Sequence, residues 1–313
     1  AVAMDYQPIS KYRHVYCPGL KPEEIYQGFR VATTTGDQNY IKGNSKYFAF
    51  PAGGGGGPIC IQKHHNPGRM PSQLPVLAGH KGDVCDFDFN PFNDEQIISS
   101  SADLTVMLWQ FPEGGLTETI TKPLLKLEGH HRKVAFVEFN PVANLIAVSA
   151  SADGTAKVWD CKYGDEVVSC DCKALPQDLH WNYSGSLFCV STKDKMNRIF
   201  DPRENRLMCE WQPHDGTKCT KMTWLGETPR ILTTGFNRAS QREWKMWDLR
   251  NLRKPIAFDS LDQASGVILP FFDPDTNIVY LGGKGDGNIR YYEVMESSLY
   301  PLSQYSSTVS ARG

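Results

Sequence analysis

The chain has 313 residues, of which 40% are hydrophobic and 11% aromatic, enough for a large buried core, so disorder is excluded. No run of 18 apolar residues occurs, so no helical membrane span is expected, and the N-terminal AVAMDYQPIS lacks the apolar centre of a signal peptide. The net charge of −2 is uneven: residues 1–75 carry an excess of four positive charges, and residues 76–313 an excess of six negative ones. Nine cysteines, an odd number with no C-x-x-C pair, read as reduced and mostly buried thiols in a reducing compartment, with no disulfide framework and no zinc site.

In chain order, Lys11–Tyr16 is the first predicted strand. Ser45–Phe50 and Ile59–Ile61 then flank five glycines, Gly53–Gly57, as a hairpin with a flexible turn. A countable repeat follows. Gly79-His80 precedes Asp103, and Asp103 precedes Trp109; Gly129-His130, Asp153 and Trp159 recur at the same intervals. A second marker, an aromatic followed by Asn or Asp, appears at Phe89-Asn90, Phe139-Asn140, Trp181-Asn182 and Phe272-Asp273. A further copy, between Trp224 and Trp247, holds extra residues within Asn237–Glu243.

Within each copy the pattern alternates, as in Cys85, Phe87 and Phe89, which predicts strands rather than helices. Short strands in units of about 40–50 residues predict an all-β fold, a WD-repeat β-propeller forming a single domain over residues 1–313. The blades are placed at about 26–66, 76–112, 125–162, 168–203, 208–251 and 256–295. Residues 10–16 and 296–313 are assigned to a closing blade. That leaves two expectations open: a seven-bladed ring whose last blade is incomplete in this chain, or closure with six.

The repeat residues have a physical reason to occur together. His80, Asp103 and Trp109, with Ser99 or Ser101, can form a buried hydrogen-bond chain that fixes one blade geometry. His130, Asp153 and Trp159 match them, with Ser149 or Ser151. Later copies lose parts, with Asp171 at the His position and Phe200 in place of a Trp, so those blades are expected to rely on apolar packing.

Several motif-like features carry no chemistry on this reading. The glycine run lacks the Gly-Lys-Ser/Thr of a phosphate loop, and Asp273–Asn277 lacks the Glu that ends a calcium loop. His64-His65 reads as an exposed connector rather than a metal site. The recurrence of His, Asp and Ser in successive blades argues against a hydrolase triad. No enzyme activity, cofactor, metal or nucleic-acid partner is expected.

Ser10–Val15 (SKYRHV), Pro213–Thr217 (PHDGT), Leu232–Trp247 and Val267–Glu293 resemble signature segments of the coronins. The resemblance runs over about residues 10–310. It implies a seven-bladed propeller in the cytoplasm that binds filamentous actin, with an actin-related nucleating complex and cofilin as further partners. It also implies that Arg30, in Phe29-Arg30-Val31, faces the filament. Lys11, Arg13, Lys42, Lys46 and Lys63 are expected near that surface by charge complementarity with acidic actin. Gly36 stands where relatives often carry Trp. A second basic cluster, Arg230, Arg238, Arg242, Lys245, Arg250, Arg253 and Lys254, is expected as an exposed loop. No heptad repeat is seen, so this chain is expected to be monomeric. The alternative function is a generic WD-repeat adaptor that binds peptides on its central face.

Overall fold

A computed structural model describes residues 10–32, 36–53 and 57–307. They form six four-stranded antiparallel sheets, spanning residues 42–77, 84–127, 134–171, 176–211, 221–262 and 268–306, here blades 1 to 6. Neighbouring blades meet through their first strands, Lys42–Gly43, Val84–Phe89, Val134–Phe139, Pro176–Trp181, Lys221–Trp224 and Ile268–Asp273. These innermost strands line a central channel, which makes the molecule a β-propeller.

The sequence repeat and the sheet are out of phase. Leu125–Leu127 opens the unit led by Gly129-His130, yet it pairs with Val106–Gln110 as the outermost strand of blade 2. Asp165–Asp171, Arg206–Trp211 and Ala257–Asp262 likewise close blades 3, 4 and 5. Each unit therefore gives its first strand to the preceding sheet, and consecutive repeats interlock.

Two sequence expectations about the ends need correction. Leu299–Ser306 does not begin another blade; it pairs with Asn288–Val294 and completes blade 6. Lys11–Tyr16 forms no strand. The Ser10 hydroxyl accepts the Tyr12 amide (3.0 Å), Val15 bonds back to Tyr12, and a turn results. Its Val15 carbonyl accepts the Tyr291 hydroxyl at 3.3 Å, so the segment lies against blade 6 without joining a sheet. Residues 308–313 of the expected closing blade lie outside the described residues. The described structure is thus a six-bladed propeller.

The core is distributed between blades. One apolar cluster joins Tyr47 and Ile59 of blade 1 to Phe87 and Trp109 of blade 2. Others join blades 2 and 3 (Leu108, Phe139), 3 and 4 (Val158, Phe188), 4 and 5 (Ile199, Met222), and 5 and 6 (Met246, Leu281). Among the described residues no such cluster spans blades 6 and 1. A groove of about 490 Å³ lies there instead, lined by Phe29, Ile41, Phe50, Phe271, Ile289 and Tyr305.

Candidate interaction surface

The repeat residues assemble as the spacing predicts. His80 Nδ1 lies 3.0 Å from Asp103 Oδ2, and its Nε2 lies 2.8 Å from Ser99 Oγ, which accepts the Trp109 indole N–H at 2.9 Å. With Nδ1 protonated toward the carboxylate, Nε2 is bare and accepts the serine O–H. The chain thus runs Trp to Ser to His to Asp, and each polar group within it has a partner. His130, Asp153, Ser149 and Trp159 repeat it with nearly the same distances. Ser99 and Ser149 are the participants; Ser101 and Ser151 instead receive the amides of Asp103 and Asp153. Gly79 is required by close approach, since a Cβ there would lie 2.7 Å from the Trp109 ring and from the Thr121 carbonyl.

A third set escapes the sequence pattern. In blade 5, His214 contacts Thr233 Oγ1 (2.9 Å) and Glu243 (2.8 Å), and Trp247 donates to the same threonine at 2.9 Å. The His-to-hydroxyl interval is 19 residues, as in the other two sets, which is the signal that could have revealed it. Blade 4 departs differently from expectation. Phe188 and Phe200 stack at 5.3 Å, but a buried Arg198 also forks onto Asp194 (2.5 and 3.1 Å) and reaches Glu210 (3.0 Å). An ionic link has replaced the indole chain there.

The channel holds a second network. Asp86 and Asp88 accept the amides of Val137 and Phe139 from the next innermost strand (3.0 and 2.9 Å). Glu138 accepts that of Trp181, and Asp178 that of Met222. Lys42 pairs with Asp86 and Lys221 with Asp178, while His180 sits 3.5 Å from both Glu138 and Asp178. Burial opposes a charge on His180, yet Asp178 and Glu138 push its pKa up to about 10. Burial pushes the Asp88 carboxyl up to about 7, with Lys42 acting against the rise.

The structure separates the six basic residues assigned to one surface. Arg30 is exposed and has no side-chain partner among the described residues. Phe29 packs its ring against that of Phe50, tilted at 44° with centroids 4.7 Å apart, and Val31 bridges Ala52, so the backbone around Arg30 is anchored to blade 1. Its side chain borders a cleft of about 870 Å³ with Pro71, Leu74, Pro75 and Glu118. Lys42 is not at the surface; it points into the channel. Lys46 and Lys63 lie at the opposite end of the blade 1 strands, and Lys46 is paired with Asp94 and Glu95 of blade 2. Lys11 lies over Tyr12 and Arg13 bonds to Ser10, both in the turn beside blade 6.

The second basic cluster also disperses. Arg242 is almost fully buried, forks onto Asp262 (2.6 and 2.5 Å) and reaches Asp286 (2.7 Å), which joins blades 5 and 6. Arg230 is bound by the carbonyls of Met295 and Glu296, Lys245 by Glu243, and Arg250 by Asp248. Arg238 is exposed and lies 3.3 Å from Asp215, while Arg253 and Lys254 are exposed at the other end of the blade. The residues between the two strands are a tight turn held by Asn237, whose side chain accepts the amides of Ala239 and Gln241. The expected exposed basic loop is not formed. The Asp273 carboxylate, in the stretch compared with a calcium loop, caps its own turn through Asp275 and Thr276.

Fold and repeated hydrogen-bond chains define a WD-repeat propeller, a class that serves typically as a non-catalytic interaction scaffold. Comparison with known proteins agrees. The family described as "WD domain, G-beta repeat" matches residues 71–110 and 121–160, and "Domain of unknown function (DUF1899)" matches residues 7–69. Among solved structures, the WD40 domain from Toxoplasma gondii coronin is 31% identical to this chain, with a TM-score of 0.87. The alignment covers 91% of this chain and 74% of that one. The chain belongs to the coronin family.

Proposed function

We propose that this propeller is a non-catalytic, actin-filament-binding cytoskeletal regulator of the coronin type, acting in the cytoplasm. The observation that carries the reading is family membership joined to Arg30, an exposed guanidinium on an anchored backbone beside an open cleft. An acidic filament surface would satisfy that charge. An actin-related nucleating complex and cofilin are the further partners that family membership suggests. The non-catalytic part is supported by the three His-hydroxyl-carboxylate sets, all of which are buried and committed to pinning blades.

The test is co-sedimentation with actin filaments over a salt series, comparing the chain with Arg30→Asp. Salt-sensitive pelleting that the substitution abolishes at unchanged melting temperature supports the proposal. Absence of pelleting at low salt overturns it for this chain.

We also infer that the groove between blades 6 and 1 is the slot of a seventh blade. Supporting this are its exposed apolar walls, Ile41 at 59%, Phe271 at 41% and Ile289 at 41%, against five other seams filled by buried apolar clusters.

A further inference from the structure

On the outer edge of blade 1, the segment Pro71-Ser72-Gln73-Leu74-Pro75 belongs to no strand or helix. The proline at each end lacks an amide donor and keeps its neighbour extended. Ser72, Gln73 and Leu74 make no main-chain hydrogen bond among the described residues. Anchors stand on both sides instead: the Met70 amide donates to the Gln27 carbonyl (2.8 Å), and the Val76 carbonyl accepts the Ile120 amide (3.0 Å). The result is a short bow, tethered at its ends, that another protein can engage without unfolding a sheet.

Ser72 is exposed, its hydroxyl has no partner among the described residues, and it lines the cleft that Arg30 borders. The two threonines of that lining differ from it. Thr119 Oγ1 accepts the Val76 amide at 3.4 Å, and Thr117 lies between Glu113 and Glu118 with no Lys or Arg in the five residues before it. Ser72 has Arg69 three residues before it, and Arg-x-x-Ser occurs once in the sequence. Arg69 is exposed and has no ion-pair partner among the described residues. It also reaches the cleft: a Cβ on Gly28, a lining residue, would lie 3.3 Å from Arg69 Cγ and 3.8 Å from its Nε. One free hydroxyl is therefore flanked by two uncommitted guanidiniums, with Glu118 the single carboxylate in the lining.

We propose that Ser72 is a phosphorylation site, modified by a kinase that selects serine with arginine three residues before it, and that the phosphate closes the Arg30 cleft to acidic partners. The regulatory half rests on the filament-binding reading above. Kinases choose substrates partly by such charge patterns. In the transfer, Ser72 Oγ attacks the γ-phosphorus of ATP and the bond from that phosphorus to the β,γ-bridging oxygen breaks. ADP leaves with the electron pair, and the hydroxyl proton passes to the kinase's base. The product carries about −1.5 to −2 charges and three acceptor oxygens, which Arg30 and Arg69 can fork onto. Two guanidiniums outweigh the Glu118 carboxylate, and Arg30 is then no longer free to meet an acidic surface.

The test incubates the chain with ATP and a serine kinase that requires arginine three residues before its target, and locates the phosphate by mass spectrometry. Ser72 should be modified, Ser72→Ala should take up no phosphate there, and Arg69→Ala should slow the transfer by about tenfold or more. No phosphate on Ser72 overturns the proposal. The phosphorus-31 resonance of the modified Ser72 is then titrated with and without Arg30→Ala. Its second pKa should lie below the usual value of about 6 and move back toward it in Arg30→Ala. Identical titrations overturn the contact with Arg30. Co-sedimentation comes last: the phosphorylated chain should bind filaments about fivefold or more weakly, while Ser72→Ala treated alike should pellet as the untreated chain does. Undiminished pelleting after phosphorylation overturns the regulation. Absence of pelleting by the untreated chain counts against the filament reading alone, and the phosphate titration still decides the site.

Discussion

Ser149 Oγ is the hub of its blade, since it takes the Trp159 N–H and meets His130 Nε2, both at 2.8 Å. Ser149→Ala removes few atoms but leaves two buried polar groups without partners. Each orphaned group costs about 1–3 kcal/mol, so urea unfolding should show a loss of about 2–4 kcal/mol at an unchanged slope. Thr233→Ala in blade 5 should behave alike, because Thr233 holds the same position between His214 and Trp247. Asp88 predicts the opposite sign. Burial raises its pKa to about 7, so the fold prefers the protonated form. Through this group, stability declines as pH rises from about 4 through 7. Asp88→Asn keeps an acceptor for the Phe139 amide and removes the charge. It should stabilise the protein by about 1–3 kcal/mol at pH 8 and have progressively less effect as pH falls toward 4, read from denaturation midpoints at both values. His130 and His214 work in the other direction: burial lowers both pKa values, so their contribution is complete above about 6.5 and declines as pH falls.

At the scale of elements, intervals were more legible than environments. Gly-His, Asp and Trp recur at constant spacing because each blade must close the same hydrogen-bond chain, so blades 2 and 3 could be read from the sequence alone. Blade 5 hides the same device because Glu243 replaces the aspartate at a different interval and the longer hairpin moves Trp247. Phase was not legible either: strand length and alternation do not reveal that Leu125–Leu127 pairs backward with blade 2. Charge was the least legible property. Arg242 looked like part of a basic loop, yet it opens a strand in which Trp244, Met246 and Trp247 are all buried, and those apolar neighbours were the overlooked sign of a buried side chain. Lys42 was misplaced for a related reason, because its countercharge, Asp86, comes from another blade. Arg242→Met should therefore act as a structural break rather than a surface change. Hydrogen bonding from Arg242, against the cost of burial, holds the Asp262 carboxyl well below the usual range. That stability is present above about pH 4 and lost as pH falls. The variant should lose about 3–5 kcal/mol at neutral pH. Its unfolding curve should also be flatter than the parent's between pH 4 and 2.

For the whole molecule, stability depends on how many seams are filled. Each apolar cluster belongs to two blades at once, so no blade has a complete core of its own. Carboxylates on innermost strands then tie each of blades 2 to 4 to the amides of the next blade. The seam between blades 6 and 1 is joined differently. Lys284 reaches the Gly36 carbonyl at 2.5 Å and Asp37 at 3.1 Å, and beneath that contact the walls stay apolar and open. Substitution measures whether such a wall is solvated. In the 313-residue chain, Ile41→Ser and Ile289→Ser should each change stability by no more than about 0.5 kcal/mol, because both side chains already face water. In a longer chain carrying further strands in the groove, the same substitutions should cost about 2–4 kcal/mol each, as expected for a large apolar side chain lost from a packed layer. Equal, small effects in both chains would show that added strands do not enter the seam. Large effects in the 313-residue chain itself would show that this groove is closed in solution and that the ring completes itself with six blades.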